Sequence, residues 1–270
     1  MLTIIPIWAL LVGLVLLFLG SEILGERVGE RVARRTPEAA RGYVAVTAGA
    51  VLGLLALLLG FSFSMAVGRF ELRREMVVTE ANAIGTTWLR ASMLRTPHDT
   101  AVRRLLGEYV AGRMRIVNAG DDAAVLAAEL ARAEAIQDTL WRHAEMVAVD
   151  DPRPAVVTLF TSTLNELIDV HAIRVAALRS RVPEPILLAL ILTATLAVGI
   201  GGYAGGLADA HQRLLRLALA VLFATLITLV ADLDRPRTGV IRTPQDPMLD
   251  LQRTIHAAEI TPHQAPGVTR

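Results

Sequence analysis

Residues 43–68 run for 26 positions without a charge, and from Arg69 the chain turns charged without meeting a helix-breaking cluster until Thr96-Pro97. An apolar helix needs about 20 residues to cross roughly 30 Å of hydrocarbon, so this stretch is long enough to tilt or protrude. The helical pattern does not stop where the apolar run stops. A membrane span therefore continues rigidly into a water-exposed segment. Channels and signalling receptors require that continuity, whereas a simple anchor does not.

Three further apolar blocks accompany it, at residues 4–20, 186–207 and 214–231, with Arg216 the one charge among them. They account for a composition that is 53% hydrophobic with a mean hydropathy of +0.49, more apolar than a soluble domain of this length needs. The first block has neither a basic leader nor a small-x-small cleavage pattern, so it is expected to be a retained span rather than a signal peptide. Arg213 and Arg216, at the start of the fourth block, are placed to snorkel to the interface. The expected class is an all-α integral membrane protein with four spans.

With an even number of spans, the N-terminus, the insert after the second span and the C-terminus share one side of the membrane. Arg69, Arg73, Arg74, Arg174, Arg179, Arg181, Arg235, Arg237 and Arg242 flank the spans there, against Arg27, Arg31, Arg34, Arg35 and Arg41 on the other side. By the positive-inside rule the insert and both termini are cytoplasmic. The expected organisation is spans 1 and 2 in residues 1–68 and a cytoplasmic helical bundle in 69–184. Spans 3 and 4 follow in 185–235, then a cytoplasmic tail, 236–270, with a short helix and a disordered end.

The 27 basic residues are all Arg, interspersed with Glu and Asp, and no basic tract points to nucleic acid. With no Cys, disulfides and thiolate metal sites are excluded.

Within the insert, the helix of the second span continues from Phe70 to about Leu94. Thr96-Pro97-His98-Asp99 breaks it, and Asp99 or Thr100 can cap a second helix to about Val117. Asn118-Ala119-Gly120 suits a left-handed stop, with Asp121 and Asp122 opening a third helix. Leu126, Leu130, Ala133, Leu140, Ala144 and Val147 recur there at heptad-like spacing, the mark of packing against another helix. Asp150-Asp151-Pro152-Arg153-Pro154 is the next break, followed by a long helix over 155–181. Four antiparallel helices of this kind make a bundle. In the tail, Asp246-Pro247 reads as the start of a short helix to about His256.

No catalytic constellation is visible. His98, His143, His171, His211, His256 and His263 are scattered, with no i, i+4 pair. The glycines at 199, 201, 202, 205 and 206 fall inside a span, where small residues let helices approach closely. Asp209 and His211 in the loop between spans 3 and 4 fit a solvated turn better than a metal site. No enzyme, cofactor or metal is expected. Two places carry more. Asp232 and Asp234 are acids at a helix C-terminus, opposed to the macrodipole, and need compensation. They can join Arg69, Arg73, Arg74 and Arg235 in an interfacial charge network, or hold a regulatory cation. The polar, small-residue patch from Glu80 through Asn82, Gly85 and Thr86 to Thr87 has two readings as well. It is either close helix packing with Glu80 paired to an Arg, or the wall of a watery vestibule.

The segments LLLGFSFSMAVGRFELRR from Leu57, EANAIGTTWLRASML from Glu80, Arg103 to Tyr109 and DLDRPRTGVI from Asp232 occur in this order between the four spans. In them the chain resembles the bestrophin-like bacterial membrane proteins, and through Leu59-Gly60-Phe61, the step to Arg69 and the span layout, the bestrophin anion channels. The resemblance implies a homopentamer with the second spans around one pore. It also implies a narrow neck of residues four apart, which fall on Gly53, Leu57 and Phe61. Gly53 departs from a bulky neck residue. The acidic calcium clasp of animal bestrophins has no counterpart beyond Asp232 and Asp234. By composition alone, Leu57 and Phe61 are ordinary lipid- or helix-facing residues.

The expected function is an oligomeric channel of a bacterial inner membrane, passing chloride or another monovalent anion passively through the Leu57/Phe61 neck. Its partners are the lipid bilayer, copies of itself and the anion. The alternative is a sensory or scaffolding protein whose continuous helix relays a signal to or from the bundle.

Overall fold

The computed structural model describes residues 5–120, 122–208, 213–235 and 239–260. Among them are eight helices and no strand: α1 (Ile7–Ala33), α2 (Glu38–Ala91), α3 (His98–Asn118), α4 (Ala123–Asp150), α5 (Pro154–Arg179), α6 (Glu184–Leu207), α7 (Arg213–Leu233) and α8 (Asp246–Ile260). Four helical stretches are long and apolar enough to cross a membrane, one over each of the four apolar blocks. Asp121, Asp209, His211, Arg237 and the final ten residues, which figure in the expectations above, lie outside the described residues.

Helix ends follow local chemistry. Gly120 has φ +58°, the left-handed geometry that a residue with a Cβ disfavours, and it ends the α3 turn. Asp122 caps α4 by accepting the N–H groups of Ala124 (2.9 Å) and Val125 (3.1 Å). Pro154 opens α5 at a first-turn position, where its missing N–H is harmless.

The chain divides into two compact units, residues 1–70 with 181–242 and residues 71–180 with 243–270. In unit 1, Leu14 and Phe18 of α1, Leu55 of α2, Leu190 and Ala194 of α6 and Ala224 of α7 form a buried core. The first span proves longer than its apolar block. The Glu- and Arg-rich segment after Gly20, expected as part of a loop, stays helical to Ala33. The reason is its packing against α6. A Cβ added to Gly25 or Gly29 would strike the carbonyl oxygen of Gly199 or Tyr203, and one added to Gly202 or Gly206 that of Glu22 or Glu26. Ser21 Oγ also donates to the Thr195 carbonyl at 2.8 Å. Arg216 of α7 reaches Glu26 (2.8 Å) and Glu22 (3.3 Å) on α1 rather than solvent alone.

In unit 2 the second part of α2 packs with α3, α4 and α5 around Ile84, Leu106, Leu140, Leu164 and Leu167. The tail helix belongs to this core. Met248 is fully buried in it, and Ile255 and Leu251 pack there too. The expected short tail helix is thus a structural member of the bundle, extending to Ile260.

Candidate functional site

α2 is a single helix of 54 residues, and at 100° per residue its positions sort into faces. In unit 1, Gly53, Leu57, Phe61, Ser64 and Gly68 fall within an arc of about 80°, and all five are exposed. Leu57 is 55% and Phe61 64% exposed, while Leu55, Leu59 and Ser62 on the other side are buried. In unit 2, Glu75, Asn82 and Thr86 share an arc of about 40° and are likewise exposed. Gly85 is half-buried, and a Cβ there would meet only Leu251 Cδ1, at 3.4 Å.

Glu80 does not belong to that exposed face. It lies about 160° round the helix from Asn82 and is 0% exposed. Its Oε1 accepts from Tyr109 Oη (2.8 Å), Arg113 Nε (2.9 Å) and Arg113 Nη2 (2.5 Å), and its Oε2 accepts from Arg174 Nη1. Arg113 Nη2 donates to Tyr109 Oη (2.8 Å) and to His171 Nδ1. Gln137 Nε2 reaches Tyr109 Oη at 3.4 Å, and Arg174 Nη2 reaches Gln245 Oε1 at 3.2 Å. Of the two readings of this patch, Glu80 takes close packing with an Arg partner, while Asn82 and Thr86 stay on the open face. One carboxylate thus fastens α2 to α3 and α5, and its partners in turn hold α4 and the residue before α8.

The protonation states follow from the geometry. A guanidinium can only donate, so His171 Nδ1 must be a lone pair and the imidazole neutral. Burial, then Arg113 and Arg174 against the opposing pull of Glu80, brings the His171 pKa down to about 4. Burial alone would raise Glu80, but Arg113, Arg174 and its hydrogen bonds outweigh that and hold it below the usual carboxylate range. Burial and then the Glu80 carboxylate push the Tyr109 phenol far above its ordinary value. Two guanidiniums face one carboxylate, so the enclosed cluster carries a net positive charge.

At the other expected polar place, Asp232, Asp234 and Arg235 are all buried. Asp232 accepts the N–H groups of Val240 (3.0 Å) and Ile241 (2.9 Å), and Asp234 that of Val182 (2.7 Å). These backbone donors supply the compensation that acids at the C-terminal end of α7 require. A Cβ on Gly239 would sit 2.6 Å from Asp232 Oδ1, so the returning chain needs glycine there. Arg69 is half-buried and Arg73 buried, while Arg74 is exposed and 3.6 Å from Glu71.

Sequence reasoning missed Tyr109, Arg113, Gln137, His171 and Arg174 as partners of Glu80. The signal was present. Arg113 falls on the apolar stripe of α3 with Val102, Leu106, Tyr109 and Ile116, and His171 and Arg174 interrupt that of α5. Charged groups on a buried stripe need partners on a facing helix.

Comparison with known proteins gives a consistent picture. The Bestrophin-like domain model matches residues 8–248. Among solved structures, a point mutant of a bacterial bestrophin homologue from Klebsiella pneumoniae is similar with a TM-score of 0.70 at 16% identity, over 93% of this chain and 99% of that one. A second point mutant of a Klebsiella pneumoniae bestrophin homologue gives 0.69 at 17% identity, over 93% and 99%. A structure described only as a membrane protein gives 0.68 at 17% identity, over 95% and 99%. Comparison with curated protein sequences gives no match.

Proposed function

Since this chain belongs to the bestrophin-like family, we propose that it is an oligomeric ion channel of a bacterial inner membrane, passing a monovalent anion such as chloride through a pore lined by α2. The insert and both termini are then cytoplasmic, and the number of copies round the pore is five. The observation that carries this reading is the exposed face of α2. Leu57 and Phe61 stand exposed on it one helical turn apart, while Leu55, Leu59 and Ser62 on the opposite side of the helix are buried. A ring of such residues from several copies makes a constriction that closes by dewetting. Phenyl edges are electropositive, so Phe61 rings favour an anion in passage. Gly53 leaves that end of the neck wide. Further along α2, Asn82 and Thr86 offer donors to a hydrated ion, and the Glu80 cluster holds that stretch of the helix in place. The interfacial network of Arg69, Arg73, Arg74 and Arg235 with Asp232 and Asp234 is part of the same proposal.

A second reading of the ion's sign rests on Glu71 and Glu75, which are exposed on α2 just past the neck. Carboxylate rings belong to cation pores. Purified protein in liposomes under a potassium chloride gradient decides between them. The anion reading expects a current that reverses near the chloride equilibrium potential and changes rate or selectivity in Phe61→Ala and Leu57→Ala. Reversal near the potassium potential, shifted by Glu75→Gln, selects the cation reading. No flux from a protein that is monomeric or dimeric in detergent removes the channel.

A further inference from the structure

His98, the first residue of α3, and His143 in α4 stand 45 positions apart in sequence, yet their Nδ1 atoms are 3.0 Å apart. Their ring centroids are 5.3 Å apart and the planes nearly perpendicular, at 79°. Bonds of about 1.3 to 1.4 Å put every atom of a five-membered ring about 1.1 to 1.2 Å from its centroid. The two distances agree only if both nitrogens lie close to the line joining the centroids. Each Nδ1 therefore points at the other. A metal ion does not fit that line, because two ligands at about 2.0 Å on opposite sides of zinc would hold the nitrogens about 4 Å apart. What fits is one proton, donated by one Nδ1 and accepted by the lone pair of the other.

We infer that His98 and His143 form a proton-gated fastener: with one proton it ties the start of α3 to α4, and with a second it opens. Two Nδ1–H groups cannot face each other at hydrogen-bond distance, so double protonation separates the rings. Both rings are half-buried, which leaves them within reach of solvent protons. The charged groups that act on His143 oppose the second proton and so hold the fastener closed to lower pH. Arg142 lies beside it on α4 and Arg104 faces it from α3. Arg104 is itself engaged with Glu108 (2.5 Å), and Arg142 with Thr139 (3.0 Å). Asp99, next to His98, takes the Thr100 hydroxyl at 3.2 Å. At the same corner Arg95 faces Asp151, which Arg153 holds at 2.5 Å. Burial first, then His98, Arg142 and Arg104, lower the pKa of His143 below 6.5. The fastener is accordingly closed at neutral pH and opens as pH falls below that of an ordinary imidazole. The segment it holds is the connection from α2 to α3, so acid loosens the end of α2.

The test is hydrogen exchange in the full-length protein in lipid nanodiscs, followed on peptides covering 92–104 from pH 7.5 to 5 and corrected for the intrinsic rate. Wild type should lose about tenfold protection there over one to two pH units. His143→Asn and His98→Asn keep a short amide near the Nδ1 position but do not titrate, and protection at 92–104 should then change with pH no more than that of peptides from the α5 core, residues 160–168. Thermal unfolding at pH 7.5 confirms that both variants are folded. A wild-type profile at 92–104 no steeper than that of 160–168, or an excess slope at 92–104 that survives in both folded variants, would overturn the fastener. Neither result depends on whether the protein conducts ions.

Discussion

The two units are both helical, yet opposite chemistry holds them together. In unit 1 the closest joint is α1 on α6, where backbone meets backbone at Gly25, Gly29, Gly199, Gly202 and Gly206. Lipid tails are as apolar as leucine, so helices there gain little by hiding side chains. They gain by close approach, which small residues permit. In unit 2 the closest joint is a carboxylate enclosed by two guanidiniums, a phenol and an imidazole, set beside a leucine-rich core. On the function proposed above unit 2 lies in water, where the core gathers helices of its own accord and buried charge fixes how they register. The same amino acid should therefore matter in one unit and not in the other.

Removing the carboxylate should have the largest effect. Glu80→Ala leaves Arg113 and Arg174 buried and unpaired, which costs about 3 to 5 kcal/mol. The expected result is a large fall in the unfolding temperature of unit 2. Next comes Gly202→Ala, which forces the α1 and α6 backbones apart at about 2 to 3 kcal/mol and should be read as lost folded yield in detergent. Gly239→Ala, with its Cβ against Asp232, should cost about 1 to 2 kcal/mol. Gly85→Ala in unit 2 is the contrasting control. It meets only a leucine methyl at ordinary contact distance, and should be neutral or stabilising by about 0.5 kcal/mol. Equal damage from Gly85→Ala and Gly202→Ala would break the comparison.

Acid should separate the units as well. The unfolded chain binds a proton at His171 below about 6.5, whereas the folded chain does so only near 4. The contribution of neutral His171 is present above the unfolded value and lost as pH falls through this window. Unit 2 should therefore melt at lower temperature at pH 5 than at pH 7, and His171→Gln should flatten that dependence.

Much of this was legible in the chain. Apolar blocks mark the spans, Asp122 and Gly120 mark helix ends, and the glycines of α6 announced close packing. The extension of α1 was hidden because alternating Glu and Arg looks like a solvated loop until Arg216 and α6 are known to face it. The tail helix carries an apolar stripe of Met248, Leu251 and Ile255, but a stripe does not name its partner. Glu80 was separable from Asn82 and Thr86 by helical phase alone, since about 160° divides it from Asn82. The His98–His143 contact joins distant residues with no periodic signal, and only tertiary structure brings it into view.

The chain has no cysteine, so single cysteines along α2 can ask directly which face water and ions touch. Leu57→Cys and Phe61→Cys, reconstituted in liposomes and treated with a charged thiol reagent, should lose flux. Leu55→Cys and Leu59→Cys should not. Unmodified flux at positions 57 and 61, in protein that still conducts, would contradict a pore lined by α2.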